Sequence, residues 1–139
     1  MRAMNGMIRL HRWQLDEKRR NLGDLERMKE QFERQVGLLD AEITAEQSAA
    51  NNDEGRFAYG AYAQIAVQRR ATLVRSVTDL TAQILTARED VADAFQEVKK
   101  YEILSEQRER RAKEWTSRRD QSLQDEMALQ GYRRRQGAD

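Results

Sequence analysis

The chain has 139 residues, of which 39% are hydrophobic, 35% charged and only 6% aromatic, and this is too few apolar side chains to fill a globular core. It has no cysteine, which excludes a disulfide framework and thiolate chemistry and favours an intracellular setting, and no apolar run approaches the ~18 residues of a membrane span. The net charge is +1, yet bases outnumber acids six to two in residues 1–20 and nine to five in residues 108–135, whereas acids outnumber bases sixteen to ten in residues 21–107.

The first tract predicts a long helix from about residue 4 to about residue 49. Apolar side chains recur there at heptad positions a and d, which form one stripe on a helix. The chain has no proline, and Gly23 and Gly37 each cost roughly 1 kcal/mol relative to alanine without breaking the helix. The stripe positions are Ile8, His11, Leu15, Lys18, Leu22, Leu25, Lys29, Phe32, Val36, Leu39, Ile43 and Glu46.

A turn is predicted at about residues 50–56. Asn51, Asn52, Asp53 and Gly55 are residue types that tolerate a left-handed backbone, and the polar ones can cap the helix that follows. The sequence therefore predicts a reversal of the chain at this point.

A second and longer helix is predicted from about residue 57 to about residue 134, followed by a frayed tail at 135–139. Its stripe comprises Tyr59, Ala63, Ala66, Arg70, Leu73, Val77, Leu80, Ile84, Ala87, Val91, Ala94, Val98 and Tyr101. Beyond it the same positions hold Ser105, Arg108, Ala112, Trp115, Arg119, Ser122, Glu126 and Leu129, most of which a helix would not bury. The stripe therefore ends near Leu104.

These lengths predict an all-α fold: two long helices forming an antiparallel coiled-coil hairpin within a single domain, residues 1–139. If both helices rise equally per residue, positions whose numbers sum to about 107 lie opposite each other. Met4 and Met7 then face residues 101–104, and the second helix keeps an unpaired C-terminal overhang. The two basic ends of the chain fall at the same end of this hairpin, a polarity suited to docking or simply to solubility. A homodimeric scaffold with parallel helices is the alternative, but it leaves the matched stripe lengths as coincidence.

No catalytic, cofactor or metal site is predicted, so we expect a protein that is not an enzyme. His11 is the only histidine, and no carboxylates join it at metal-ligand spacing. The chain also lacks a Gly-rich phosphate loop. Nucleic-acid binding is a minor alternative, because acids interrupt the basic runs and no base-reading module is present.

Two clusters of large apolar side chains point instead to partner contacts. Tyr59 lies on the stripe and is expected to plug the hairpin near the turn, whereas Tyr62 lies off it and is a better candidate for a partner contact. On the overhang, a partner or a second copy of the chain is expected to cover the exposed side chains of Trp115, Leu123, Met127 and Leu129.

Short motifs along the chain resemble those of the FliJ family of the flagellar type III export apparatus. They are Leu22-Gly23-Asp24-Leu25, Phe57-Ala58-Tyr59-Gly60-Ala61-Tyr62, Lys99-Lys100-Tyr101-Glu102 with Leu104, and Asp120-Gln121 followed by Asp125-Glu126-Met127-Ala128. The resemblance covers nearly the whole length. It implies an antiparallel hairpin similar to the central stalk of rotary ATPases, located in the cytoplasm at the inner-membrane face of the flagellar base and attached to the membrane only through partners.

The resemblance also implies three partners: the hexameric export ATPase, whose assembly and activity the family promotes, the cytosolic domain of the membrane export-gate protein, and export chaperones. The ATPase ring would grip the end that carries both termini, at Leu10, Trp13, Trp115, Arg119, Leu123 and Met127. The gate would contact Gln35, Leu39, Tyr62, Ile65 and Arg69.

This chain departs from the family pattern on the gate face. Glu42 and Glu46 stand where aromatic residues occur in relatives, and Arg69 replaces an apolar residue. The injectisome counterpart of the family, the YscO type, remains an alternative that the sequence separates poorly.

Overall fold

The computed structural model describes residues 2–50 and 53–137, which form two α-helices and, within those ranges, no strand. Helix α1 is Arg2–Ala49 and helix α2 is Asp53–Gly137. Both begin a few residues before the predicted starts, and α2 continues past residue 134. The chain has no proline that would force either helix to end earlier. Of the predicted turn and tail, Asn51, Asn52, Ala138 and Asp139 lie outside the described residues.

The chain divides into two compact units, of which the first is residues 12–95. Within it, Asp40 on α1 pairs with Arg70 on α2 at 2.7 Å, and Glu26 pairs with Arg88 at 3.8 Å. The earlier residue of α1 meets the later residue of α2, so the two arms run antiparallel within one chain. The parallel arrangement is therefore excluded for this unit.

The core of this unit is the predicted stripe. Its buried side chains are Leu15, Leu39, Ala66, Leu80, Ile84 and Ala87. The remaining uncharged a and d residues of the unit are half-buried, whereas the charged Lys18, Glu46 and Arg70 turn outward and are exposed. The heptad reading of both arms is thus confirmed, since covering one apolar face per helix is what stabilises such a pair.

The second unit comprises the described residues 2–11 and 96–137. Met4 and Ile8 of α1 and Val98 of α2 are buried, and the rings of His11 and Tyr101 stack with centroids 4.6 Å apart. Ser105 is the last half-buried residue before a fully exposed run, residues 106–130. The predicted end of the stripe near Leu104 is confirmed. We refer to residues 106–137 as the uncovered segment.

Candidate functional site

Large apolar side chains of the uncovered segment stand in solvent. Trp115 is 63% exposed, Leu123 50% and Met127 71%. Together with Arg119 they recur every four residues, a spacing that brings side chains to neighbouring positions on a helix surface. They form a continuous row along α2, which we call the Trp115 row. Such a row on an otherwise charged helix is typical of a protein-binding surface.

Arg119 partly covers the indole of Trp115. Its guanidinium carbon lies 5.4 Å from the ring centroid, within the range of a cation–π contact. Arg119 lies one helical turn after Trp115, and both side chains are exposed. The contact therefore orients the indole while leaving most of its surface open to solvent. Trp and Arg are also the residue types most often found at the energetic centre of protein interfaces.

The charge of the uncovered segment is positive, with nine bases and five acids in residues 108–135. The charged side chains between 108 and 130 are all exposed, so the segment presents a mixed but net basic surface around its apolar row. Such a surface attracts an acidic partner and speeds encounter with it. In the described part of the chain, neither helix has a window apolar enough to cross a membrane.

Two further predicted residues lie on α1. Leu10 is 46% exposed and belongs to the same unit as the uncovered segment. Trp13 is 61% exposed and belongs to the unit of residues 12–95. Both side chains are therefore available to a partner, unlike their neighbours Ile8 and Leu15, which are buried.

The residues predicted for a gate contact fall into two groups. Gln35, Ile65 and Arg69 are exposed, and Ile65 keeps 68% of its surface in solvent. Leu39 is only 6% exposed because it occupies a d position of the stripe. It has almost no surface to offer a partner and instead supports the arm that carries Gln35.

The exposure of Tyr62 is intermediate between that of the exposed gate residues and that of the buried Leu39. Its side chain is half-buried, its ring centroid lies 6.4 Å from that of Tyr59, and its hydroxyl is closed off from solvent. Burial raises the pKa of this hydroxyl, the nearby Glu42 and Glu46 carboxylates raise it further, and Arg69 lowers it. Although Glu42 is close enough to act on the hydroxyl, no described atom forms a hydrogen bond of full geometry with it.

Reasoning from positions a and d missed a second set of exposed apolar residues in the unit of residues 12–95. Val67 is 63% exposed, Val74 38% and Leu85 58%. They occupy positions e and b of α2, so a search for a second heptad stripe beside the first would have found them. In the described residues, no group of three His, Asp or Glu side chains is arranged to hold a metal ion.

Comparison with protein-family models finds a match over nearly the whole chain. The family model described as "Flagellar FliJ protein" matches residues 1–137, which takes in both helices and the connection between them. No curated protein matches the chain, and no solved structure matches it.

Proposed function

Since the chain belongs to the FliJ family, whose members are components of the flagellar export apparatus, we propose that it acts there as a stalk-like, non-enzymatic subunit. It binds the hexameric export ATPase through the uncovered segment and promotes its activity. It also links the ATPase to the membrane export gate and to export chaperones. It works in the cytoplasm at the inner-membrane face of the flagellar base and reaches the membrane only through these partners.

The observation that carries the ATPase contact is the exposure of the Trp115 row. Among the described residues, 106–130 are all exposed, yet this stretch holds a tryptophan, a leucine and a methionine in one row. Burial of that row against another molecule removes its apolar surface from water and is therefore favourable. The net positive charge around the row suits a ring lined with acidic groups. Leu10 and Trp13 supply additional exposed apolar surface on α1.

The gate contact is supported by the exposed side chains of Gln35, Ile65 and Arg69. Ile65 is the strongest of these, because an isolated apolar side chain with two thirds of its area in water gains most from burial. Leu39 acts from within the stripe by holding α1 in place. Tyr62 contributes the edge of its ring, while its hydroxyl stays covered.

Two other functions are less well supported. An injectisome stalk of the YscO type would have the same architecture, but the matching family is the flagellar one. A homodimeric scaffold needs helices paired between chains, whereas the ion pairs of Asp40 with Arg70 and of Glu26 with Arg88 close the hairpin within one chain.

ATP hydrolysis by the cognate export ATPase tests the main contact. A variant with Trp115, Leu123 and Met127 all changed to alanine should fail to stimulate hydrolysis. A matched control with Thr116, Gln121 and Gln124 changed to alanine alters three exposed residues of the same segment and should stimulate normally. Circular dichroism should show equal helix content in both variants. Full stimulation by the first variant would refute the contact.

Binding to the cytosolic domain of the gate protein tests the second contact. Ile65→Glu should weaken this binding while leaving ATPase stimulation intact. The Trp115 row variant should show the reverse pattern. If both variants lose both activities, the two partners do not use separate surfaces, and the assignment of Ile65 to the gate is wrong.

A further inference from the structure

A second stripe runs along α2 beside the covered one. It consists of small and apolar residues at successive e and b positions, three and four residues apart: Val67, Ala71, Val74, Thr78, Thr81 and Leu85. Within it, Val67 and Leu85 keep more than half of their surface in solvent. Its two ends, Val67 and Leu85, are 18 residue steps apart, roughly 27 Å at 1.5 Å per residue, which is the length of a five-turn helix.

The two threonines do not make this stripe polar. The Thr78 hydroxyl donates to the Val74 carbonyl oxygen at 3.0 Å, and the Thr81 hydroxyl donates to the Val77 carbonyl oxygen at 2.8 Å. Because each hydroxyl is satisfied by its own helix, the methyl groups are left to contact whatever lies on the stripe. Ala71 carries only a methyl group, so the backbone of a second helix can approach α2 closely at this position.

At the Thr81–Leu85 end of the stripe the facing wall belongs to α1 and is net acidic. Glu26, Lys29, Glu30 and Glu33 line one side of a groove whose other side is formed by Thr81, Ile84, Leu85 and Arg88. The groove holds about 330 Å³ and lies entirely within the unit of residues 12–95. The α2 wall is therefore apolar apart from Arg88 and the Thr81 hydroxyl, and the α1 wall carries three carboxylates and one amine within two helical turns.

The carboxylates of this wall are only partly neutralised by the chain itself. Arg88 lies 3.8 Å from Glu26, and Lys29 lies 3.7 Å from Glu33, distances at which exposed pairs are weak. A cationic side chain entering the groove therefore finds carboxylates to pair with, whereas an anionic one is repelled.

From these observations we propose that the groove between the second stripe and the acidic wall binds an amphipathic helix of another protein, one whose apolar stripe is bordered on one side by Lys or Arg. The apolar residues of that helix pack on Leu85 within the groove and on Val74 where the stripe continues beyond it, and its basic border pairs with Glu30 and Glu33. This is a helix-in-groove contact, separate from the Trp115 row and from the Ile65 face. A second copy of the chain does not suit the groove, because it would bring the same acidic wall with it.

A pair of synthetic helices tests the charge and the shape of the groove together. The probe is a fluorescein-labelled 20-residue peptide with leucine at heptad positions a and d and lysine along one border. Its matched control carries glutamate in place of each lysine. Titration of the full-length protein, followed by fluorescence anisotropy, should show the lysine peptide binding at least about tenfold more tightly than the glutamate peptide.

Two variants locate the binding site. Leu85→Glu should weaken binding of the lysine peptide by about tenfold or more, whereas Leu38→Glu, at an exposed position outside the groove, should leave it within about twofold. Equal affinity for both peptides, or an equal loss in both variants, would overturn the proposal. So would a doubling of mass in sedimentation that disappears in Leu85→Glu, because a second copy would then fill the groove.

Discussion

Arg70 on α2 and Asp40 on α1 meet side by side across the hairpin. Nε of Arg70 donates to Oδ1 of Asp40 at 2.7 Å, and Nη2 lies 3.4 Å from Oδ2. The pKa of Arg70 is raised, mainly by this hydrogen bond and then by the charge of Asp40. Arg70 occupies an a position that would otherwise interrupt the apolar stripe. Turning outward to Asp40 lets it fix the alignment of the two arms without burying its charge.

This pair should couple in a double-mutant cycle. Asp40→Asn and Arg70→Gln, made singly and together, should show a favourable interaction in urea unfolding at low salt that shrinks in 1 M salt, because exposed charges are screened. The matched control is the cycle of Glu26→Gln with Arg88→Gln, whose atoms are 3.8 Å apart and should couple less. A cycle of zero coupling at low salt for Asp40 and Arg70 would show that the pair contributes nothing to alignment.

Truncation within the stripe should cost far more stability than truncation in the uncovered segment. Ile84 is 5% exposed, so Ile84→Ala should lower the free energy of unfolding by about 2–4 kcal/mol through lost burial and the cavity left behind. Leu123 is 50% exposed, and Leu123→Ala should change the free energy of unfolding by less than about 0.5 kcal/mol. Chemical denaturation followed at 222 nm compares the two. Equal losses would mean that Leu123 is covered in solution.

The part of this fold that sequence could predict is the part set by heptad spacing. The run of uncharged a and d residues up to Tyr101 predicted which side chains are covered, and its loss after Leu104 predicted the exposure of Trp115. Both follow from counting, because position on a helix surface is fixed by residue number alone.

Features that depend on which residues of the other arm lie opposite could not be found in this way. The covered hydroxyl of Tyr62 and the acidic wall beside Leu85 each combine side chains of both helices. At Leu39 the spacing predicted burial while the family resemblance placed the residue on a partner face, and the structure agrees with the spacing.

Replacement of Gly37 by alanine should stabilise the protein. Gly37 is exposed in the interior of α1, about three turns before its end, and a Cβ at this position would meet nothing within 4 Å. Alanine in a helix interior is favoured over glycine by roughly 1 kcal/mol, and the midpoint of thermal unfolding should rise accordingly. Gly23→Ala is the comparison, since its Cβ would come 3.3 Å from Nη1 of Arg27. Gly23→Ala should raise the midpoint of thermal unfolding by less, because the side chain of Arg27 must move away from the new methyl group. A lower midpoint for Gly37→Ala would show that this stretch of α1 is not helical.

The raised pKa of Tyr62 predicts a loss of stability in alkali. The folded protein holds this proton more tightly than the unfolded chain, whose tyrosine has a pKa of 10.0. The stability that protonated Tyr62 contributes to the folded state is therefore fully present below about pH 10. It is lost as the pH rises through the raised pKa of Tyr62 in the folded protein. Tyr62→Phe should unfold at a higher pH than the unchanged protein, whereas Tyr132→Phe, in the uncovered segment, should not. Identical alkaline transitions for all three would mean that the hydroxyl is open to solvent.

The Trp115 row makes a prediction that can be read at a single atom. In a Trp13→Phe variant labelled with 5-fluorotryptophan, the one remaining indole is that of Trp115, 63% exposed in the free protein. Its ¹⁹F resonance should show a solvent-isotope shift typical of an exposed ring. Adding the cognate export ATPase should remove that shift, because the ring becomes buried at the contact.

A second labelled variant separates the contact from crowding by the large partner. With Leu123 and Met127 also changed to alanine, the row loses two of its apolar side chains while Trp115 and its cation–π contact with Arg119 remain. The isotope shift should then persist in the presence of the ATPase, since a truncated row gains too little burial to hold the complex. Persistence of the shift with the intact row, under conditions in which hydrolysis is stimulated, would place the stimulating contact elsewhere on the chain.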